Sequence, residues 1–372
     1  MQKELVEKIS LTQLFILVSA FLFGSAIVVG IGGEAEQDSW IAIIVACLLS
    51  IIPVWFYIFL VSRIPEKNLF EIMEIAFGKM ISKVLILLYI LYFFYISARV
   101  LRDFGELIVG DMLVNTPIEV ISITFMLFVA YILYLGLEVL GRFSEIYAPY
   151  LMGSILAVGI LLLFSRELHV KNVLPILPEG IGPVMNTVFP KLITFPFGEL
   201  VAFMMILPYA SKVRYAGKTT ILALMVSGLI LAYSSFVQIA TLGPEAKLRS
   251  KFPLLTATGE ISLWNFIERV DLIIIFVVMF GILVKISIFF YGGLKGLELV
   301  FNRPYRAFIY PMAMIIAFMS IIISKNFAEH ISEGISMVPW IIHIPFQYGI
   351  PLLLFPFVLW KSKGLRSEGK KR

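Results

Sequence analysis

Cysteine is nearly absent: the 372 residues hold one, Cys47, inside an apolar run. A single thiol forms no disulfide framework within the chain and no thiolate metal site. Among apolar neighbours it reads as a small buried hydrophobe. Histidine is almost as scarce, and His169, His330 and His343 show no metal-ligand spacing. There is no phosphate loop, no GxSxG and no HExxH. These gaps give no support to an enzyme and call for no cofactor. An integral-membrane enzyme would lack any catalytic constellation. Charge is thin as well, 15% of residues against roughly 25% in a soluble domain.

What fills the space is hydrophobic residues, 60% of the chain, with mean hydropathy +0.97. That composition is a polytopic membrane protein's. The net charge of +5 would suggest nucleic acid in a soluble chain. Here it reads as Lys and Arg gathered on the cytoplasmic face, with no nucleic-acid partner. The first apolar run, Leu11 to Ile31, exceeds the ~7–15 residue core of a signal peptide. Lys3 and Lys8 before it are mixed with Glu4 and Glu7, so it reads as a retained span.

Ten spans can be drawn, at about 11–33, 39–61, 82–107, 119–137, 146–165, 184–208, 218–241, 269–291, 306–323 and 339–360. With the N-terminus inside, 19 Lys and Arg fall on inner segments and 9 on outer ones, while Lys191 and Lys285 lie within spans. The bias places both termini in the cytoplasm. The basic tail, 361–372, is an anchor at anionic membrane lipid. The whole chain reads as one transmembrane domain, with halves of five spans at about 11–165 and 184–360.

The sixth span is badly made as a helix. TVFPKLITFPFGELVAFMMILPY, 187–209, carries Pro190, Pro196 and Pro208, with Gly198 and Glu199 at mid-span. Proline removes a backbone donor and clashes with the preceding turn. A charge near the bilayer centre costs on the order of 2.5–3.5 kcal/mol on insertion scales. Irregular backbone survives at that depth only where protein buries it or where it lines a cavity. FPFGE, Phe195 to Glu199, therefore predicts a helix break inside a cavity; a proline-kinked helix with a satisfied Glu is the plainer alternative. The first span, the corresponding member of the other half, reads LFGSAIVVGIGG. Gly24, Gly30, Gly32 and Gly33 permit an unwound turn beside Ser25, though close helix packing would use the same glycines. Interrupted spans at matched places in two halves point to a transporter-type site near mid-membrane.

Other segments are placed more simply. NLFEIMEIAFGKMISK predicts a short surface helix, capped by Asn68 with Glu71 three residues on, and with Leu69, Ile72, Met73 and Ala76 on one face. Span three is Tyr-rich (Tyr89, Tyr92, Tyr95) and ends with Arg99 and Asp103 four apart, spaced to pair. The loop 169–183 is rich in Pro and Gly and irregular. In the long outer loop 243–268, ISLWNFIERVD suggests an amphipathic helix, a lid or a surface for partners. Lys285 in span eight should face the interior and find a partner, or snorkel toward the Gly292–Gly293 end. Beside the broken spans it supplies a fixed positive charge where an ion-coupled carrier would hold its ion. It can also neutralise Glu199.

Taken together, the Gly/Ser break of span one, FGKMISK, FPFGE, and FPLL followed by FIERVD resemble one family over essentially the whole chain. It is the B-subunit family of spore nutrient-germinant receptors (the GerAB/GerKB spore permeases) in the amino acid–polyamine–organocation superfamily. The resemblance implies an all-α, LeuT-like fold of ten helices in two inverted repeats. It implies a small nutrient ligand, an amino acid, sugar or nucleoside, bound among spans one, three, six and eight. It also implies the inner membrane of a bacterial endospore and partner subunits, a membrane A subunit and a lipoprotein C subunit. Carried onto this chain, the pocket involves Gly24, Ser25, Phe195, Pro196, Gly198 and Glu199, with Lys285 nearby as a charge or proton-coupling group. Tyr95 joins them by spacing in span three. A proton-coupled amino acid transporter has the same fold and site and stands as the alternative.

Overall fold

The computed structural model describes residues 8–165, 168–259 and 270–369. Most of ISLWNFIERVD and FIERVD, and the mixed-charge start before Lys8, lie outside these residues, as do the side chains of the basic tail. Among the described residues the regular structure is helical, with one isolated bridge, Ile9 with Ala210.

Span one begins at a capping box. Ser10 Oγ accepts from Gln13 N at 3.0 Å, and Gln13 Oε1 accepts from Ser10 N at 2.9 Å. Helix α1 (Leu11–Phe23) ends at Gly24, whose φ of 22° and ψ of −126° no helix accommodates. One turn, α2 (Ala26–Val29), follows before Gly30 and Gly32 turn left-handed, with φ of 71° and 80°. The expected break is therefore real, and its glycines serve the backbone as well as packing. The side of the molecule holding Ser10 is called the near face below, and that holding Gly30–Glu34 the far face.

Next come α3 (Ser39–Arg63), α4 (Leu69–Asp111), α5 (Ile118–Leu135) and α6 (Leu137–Ser165). Helix α4 is two helices joined at Gly78, where φ is 78° and ψ is 168°. Its first part is the expected surface helix. Asn68 Oδ1 accepts from Phe70 N and Glu71 N, and Glu71 returns to Asn68 N at 3.0 Å. Leu69, Ile72, Met73 and Ala76 are all buried on one face.

Span six runs through α7 (Gly182–Thr187), a π-helical stretch Val188–Phe197 and tight 3₁₀ turns over Gly198–Met205 and Leu207–Tyr209. Phe195 (φ −126°, ψ 121°) is extended, so the helix breaks there. Then follow α8 (Val213–Leu242), α9 (Pro244–Arg249), α10 (Pro253–Gly259) and α11 (Val270–Phe301). Helix α11 packs most extensively on α4. A Cβ at Gly292, Gly293 or Gly296 would lie 2.8, 2.2 or 2.6 Å from Phe93, Phe94 or Ile90, so three glycines set that close approach. Cys47 is buried, and a Cβ at Gly228 would meet its Sγ at 2.2 Å; it is a packing residue.

The last spans differ from the sequence reading. Helix α12 (Ile309–Ile322) is followed by α13 (Phe327–Ser336), bent from it by 100° and capped by Asn326. What reads as a loop between spans nine and ten is a helix folded across the far face. Span ten starts in π-helical turns from Pro339 to Gly349, each opened by a proline, and continues as α14 (Ile350–Gly369). Eight helices among the described residues can cross a membrane, nine with the bent pair. The 29-residue α6 occupies the fifth position, so elements stand at all ten expected places. The chain is a multi-pass membrane protein.

Candidate functional site

The two breaks meet at one buried ion pair. Lys285 Nζ of α11 lies 2.5 Å from Glu199 Oε2, with the side chains 0% and 2% exposed. Apart from each other, neither atom has a hydrogen-bond partner among the described residues. Lys285 does not snorkel; it is walled in. Its ammonium sits 4.4 Å from the Phe195 ring centre and 5.3 Å from that of Phe21, in cation–π range. Gly24 makes room for its stem, because a Cβ there would lie 2.6 Å from Lys285 Cδ.

A small cavity of about 80 Å³ adjoins Glu199. Ser25, Phe195, Arg99, Asp103 and His343 are among its walls, and α13 covers it with His330 and Gly334. At that size it holds a few water molecules. Among the described residues the buried Ser25 Oγ has no hydrogen-bond partner, which leaves it available to whatever enters.

The sequence-derived residues sort as follows. Ser25, Phe195 and Glu199 line the cavity. Gly24 and Lys285 stand behind Glu199. Pro196 and Gly198 are buried and shape the backbone. Gly198 is helical, φ −66°; it is needed because a Cβ would meet Ile193 O at 2.8 Å and Gln347 Oε1 at 2.2 Å. Gly198→Ala should therefore cost about 1–3 kcal/mol by overpacking; a thermal unfolding midpoint equal to that of the unsubstituted protein would contradict this. Tyr95 is not among the cavity's lining residues. Its hydroxyl accepts from Arg99 Nη1 at 3.3 Å.

Arg99 and Asp103 do not pair with each other. Arg99 Nη2 donates to the His330 carbonyl and Nη1 lies 3.7 Å from Glu333, while Asp103 Oδ1 is 3.0 Å from His330 Nε2. Both reach α13, an element the sequence reading lacked. Also missed was the polar face of span ten. His343 Nδ1 is 3.1 Å from Tyr92 Oη and 3.0 Å from Gln347 Nε2, while Gln347 Nε2 also donates to Tyr92 Oη. Tyr57 donates to the Gln347 carbonyl at 2.7 Å. With Nδ1 accepting, the imidazole proton lies on Nε2. The available signal was HIPFQYG, which puts His343 and Gln347 four apart in an apolar span.

With this geometry in place, the relatives decide the family. A family profile described as Spore germination protein matches residues 8–329. The chain belongs to that family. Spore germination protein KB of Bacillus subtilis is 36% identical over 360 residues, 96% of each chain. The putative spore germination protein YfkT of the same organism is 27% identical over 89% of each. Among solved structures, MhsT in complex with L-phenylalanine superposes with TM-score 0.71 at 14% identity, covering 96% of this chain and 92% of that one. Mhp1, a nucleobase-cation-symport-1 family transporter with bromovinylhydantoin bound, gives 0.68 at 12% identity, over 86% and 73%. The fold of this spore germination family member is thus the LeuT-type transporter fold.

Proposed function

We propose that this chain is the nutrient-sensing B-type subunit of a spore germination receptor. It binds a small molecule such as an amino acid between the breaks of spans one and six. The observation that carries this is the Glu199–Lys285 pair, buried where both helices break and bordered by a cavity. A zwitterion is the natural guest of such a pair. Its ammonium faces Glu199, and its carboxylate faces the free N–H groups where the half-helices restart. Binding shifts the bundle between two conformations only by the ligand's differential affinity for them. A membrane A subunit and a lipoprotein C subunit read the shift. In this reading the two five-span halves, 11–165 and 184–360, are inverted repeats. The near face is cytoplasmic and the membrane is the inner membrane of the spore.

The test is the double variant Glu199→Gln/Lys285→Met, which removes both charges and so leaves neither buried alone. The protein is expected to accumulate and the nutrient response to be lost. A normal germination response in spores carrying it would refute the assignment. The transporter fold favours one second reading, a proton-coupled amino acid transporter. Vesicle uptake decides between them: saturable binding without gradient-driven accumulation supports the receptor, and accumulation the transporter.

A further inference from the structure

A larger cavity opens on the far face beyond the inner one. It holds about 430 Å³ and shares Val29, Phe195, Ile331, Gly334 and Ile335 with the inner cavity. Its charged lining is unbalanced: Lys191, Lys247, Arg249 and Lys251 against Glu34 alone. Lys191 is already matched, 2.7 Å from Glu34. Arg249 is matched to Glu245 at 3.4 Å. Among the described residues Lys247 has no carboxylate partner. It is 2% exposed, and it donates to a neutral group, Ser235 Oγ of α8, at 2.7 Å. Lys251, exposed at the rim, lies over the Phe327 ring at 5.8 Å and has no carboxylate partner among the described residues.

A buried ammonium without a counterion is costly. Burial pushes the Lys247 ammonium down to about 7, so an arriving anion would meet a group ready to be fully charged. The remaining walls are apolar, with Leu192, Phe195, Leu248, Phe327 and Ile335 among them. We propose that this vestibule is a second binding site, for a small organic carboxylate with an apolar body. Lys247 holds the carboxylate, Lys251 supports it from the rim, and the body lies against Phe195 and Phe327. The site is distinct from the Glu199–Lys285 pair and does not depend on it.

The test uses purified full-length protein in lipid nanodiscs and radiolabelled phenylacetate, a carboxylate that carries no ammonium. Saturable binding is expected in the unsubstituted protein, without competition from phenethylamine. Lys247→Gln, which keeps a hydrogen-bonding group for Ser235, should weaken binding at least about tenfold, the scale of a lost charge-assisted contact. The double variant Glu199→Gln/Lys285→Met, which leaves neither charge buried alone, should leave it within about twofold, below the tenfold that 1.4 kcal/mol represents. No saturable binding overturns the proposal, as does equal affinity in Lys247→Gln. Loss in the double variant with retention in Lys247→Gln assigns the carboxylate to the inner site and also overturns it. Should Lys247→Gln not accumulate, the exposed Lys251→Gln carries the test, and unchanged affinity there has the same consequence.

Discussion

Lys285→Met should be among the most damaging single substitutions in this protein, destabilising it by about 3–5 kcal/mol, the cost of breaking a buried ion pair. The reason is what remains. Glu199 would be left buried at 2% side-chain exposure without its counterion, and among the described residues Oε2 has no other hydrogen-bond partner. The loss is far larger than for an exposed pair such as Arg249–Glu245, whose side chains are 82% and 85% exposed and whose removal costs about 0–1 kcal/mol. Adding Glu199→Gln should recover most of the stability, because a neutral polar group is cheaper to bury than a lone charge. Thermal unfolding of the two variants in detergent measures this. If the double variant is no more stable than Lys285→Met, the damage lies in lost packing around the lysine stem beside Gly24, and the charge argument fails.

Much of this site could be read from the chain, for a definite reason. In hydrocarbon, a proline, a glycine or a charge is expensive, so each one left in an apolar run marks a place where the protein compensates. Gly24, Phe195–Glu199 and Lys285 were visible for that reason, and the structure brings them together. The cap at Asn68 was equally legible, because it needs only neighbours three residues apart. Other features were hidden. Arg99 and Asp103 are spaced to pair, and helix geometry permits it, but their partners lie more than 200 residues away on α13. Nothing local in NFAEHISEGIS says that this helix bends 100° from α12 and folds over the cavity. The polar face of span ten failed to stand out because Pro345, Pro351 and Pro356 dominate its reading. Lys247 is silent in sequence: it reads as one of four Lys and Arg over 247–269, and only the fold buries it.

Arg99→Met is expected to open the far side of the inner cavity. Helix α13 carries a short apolar face, and Arg99 ties it to span three. The guanidinium donates to the His330 backbone carbonyl and to Tyr95, faces Glu333, and lies against Gly334, where a Cβ would meet Nη2 at 2.7 Å. Removing it takes away the charge-assisted hydrogen bond to that carbonyl, a cost of about 1.5–3 kcal/mol. The cost falls on the closed arrangement, so the open fraction should rise about tenfold for each 1.4 kcal/mol. The single cysteine makes this measurable. In a Cys47→Ala background, Ser25→Cys places one thiol on the cavity wall, and a membrane-impermeant maleimide reports its exposure. Labelling should be at least about tenfold faster with Arg99→Met. Glu333→Gln is the internal control: at 3.7 Å and 39% exposure its pair is worth about 0–1 kcal/mol, and labelling should barely change. Equal rates in Arg99→Met and its parent would show that α13 covers the cavity without being held there by Arg99. The closing element would then have to be sought in Phe195, which lines both cavities.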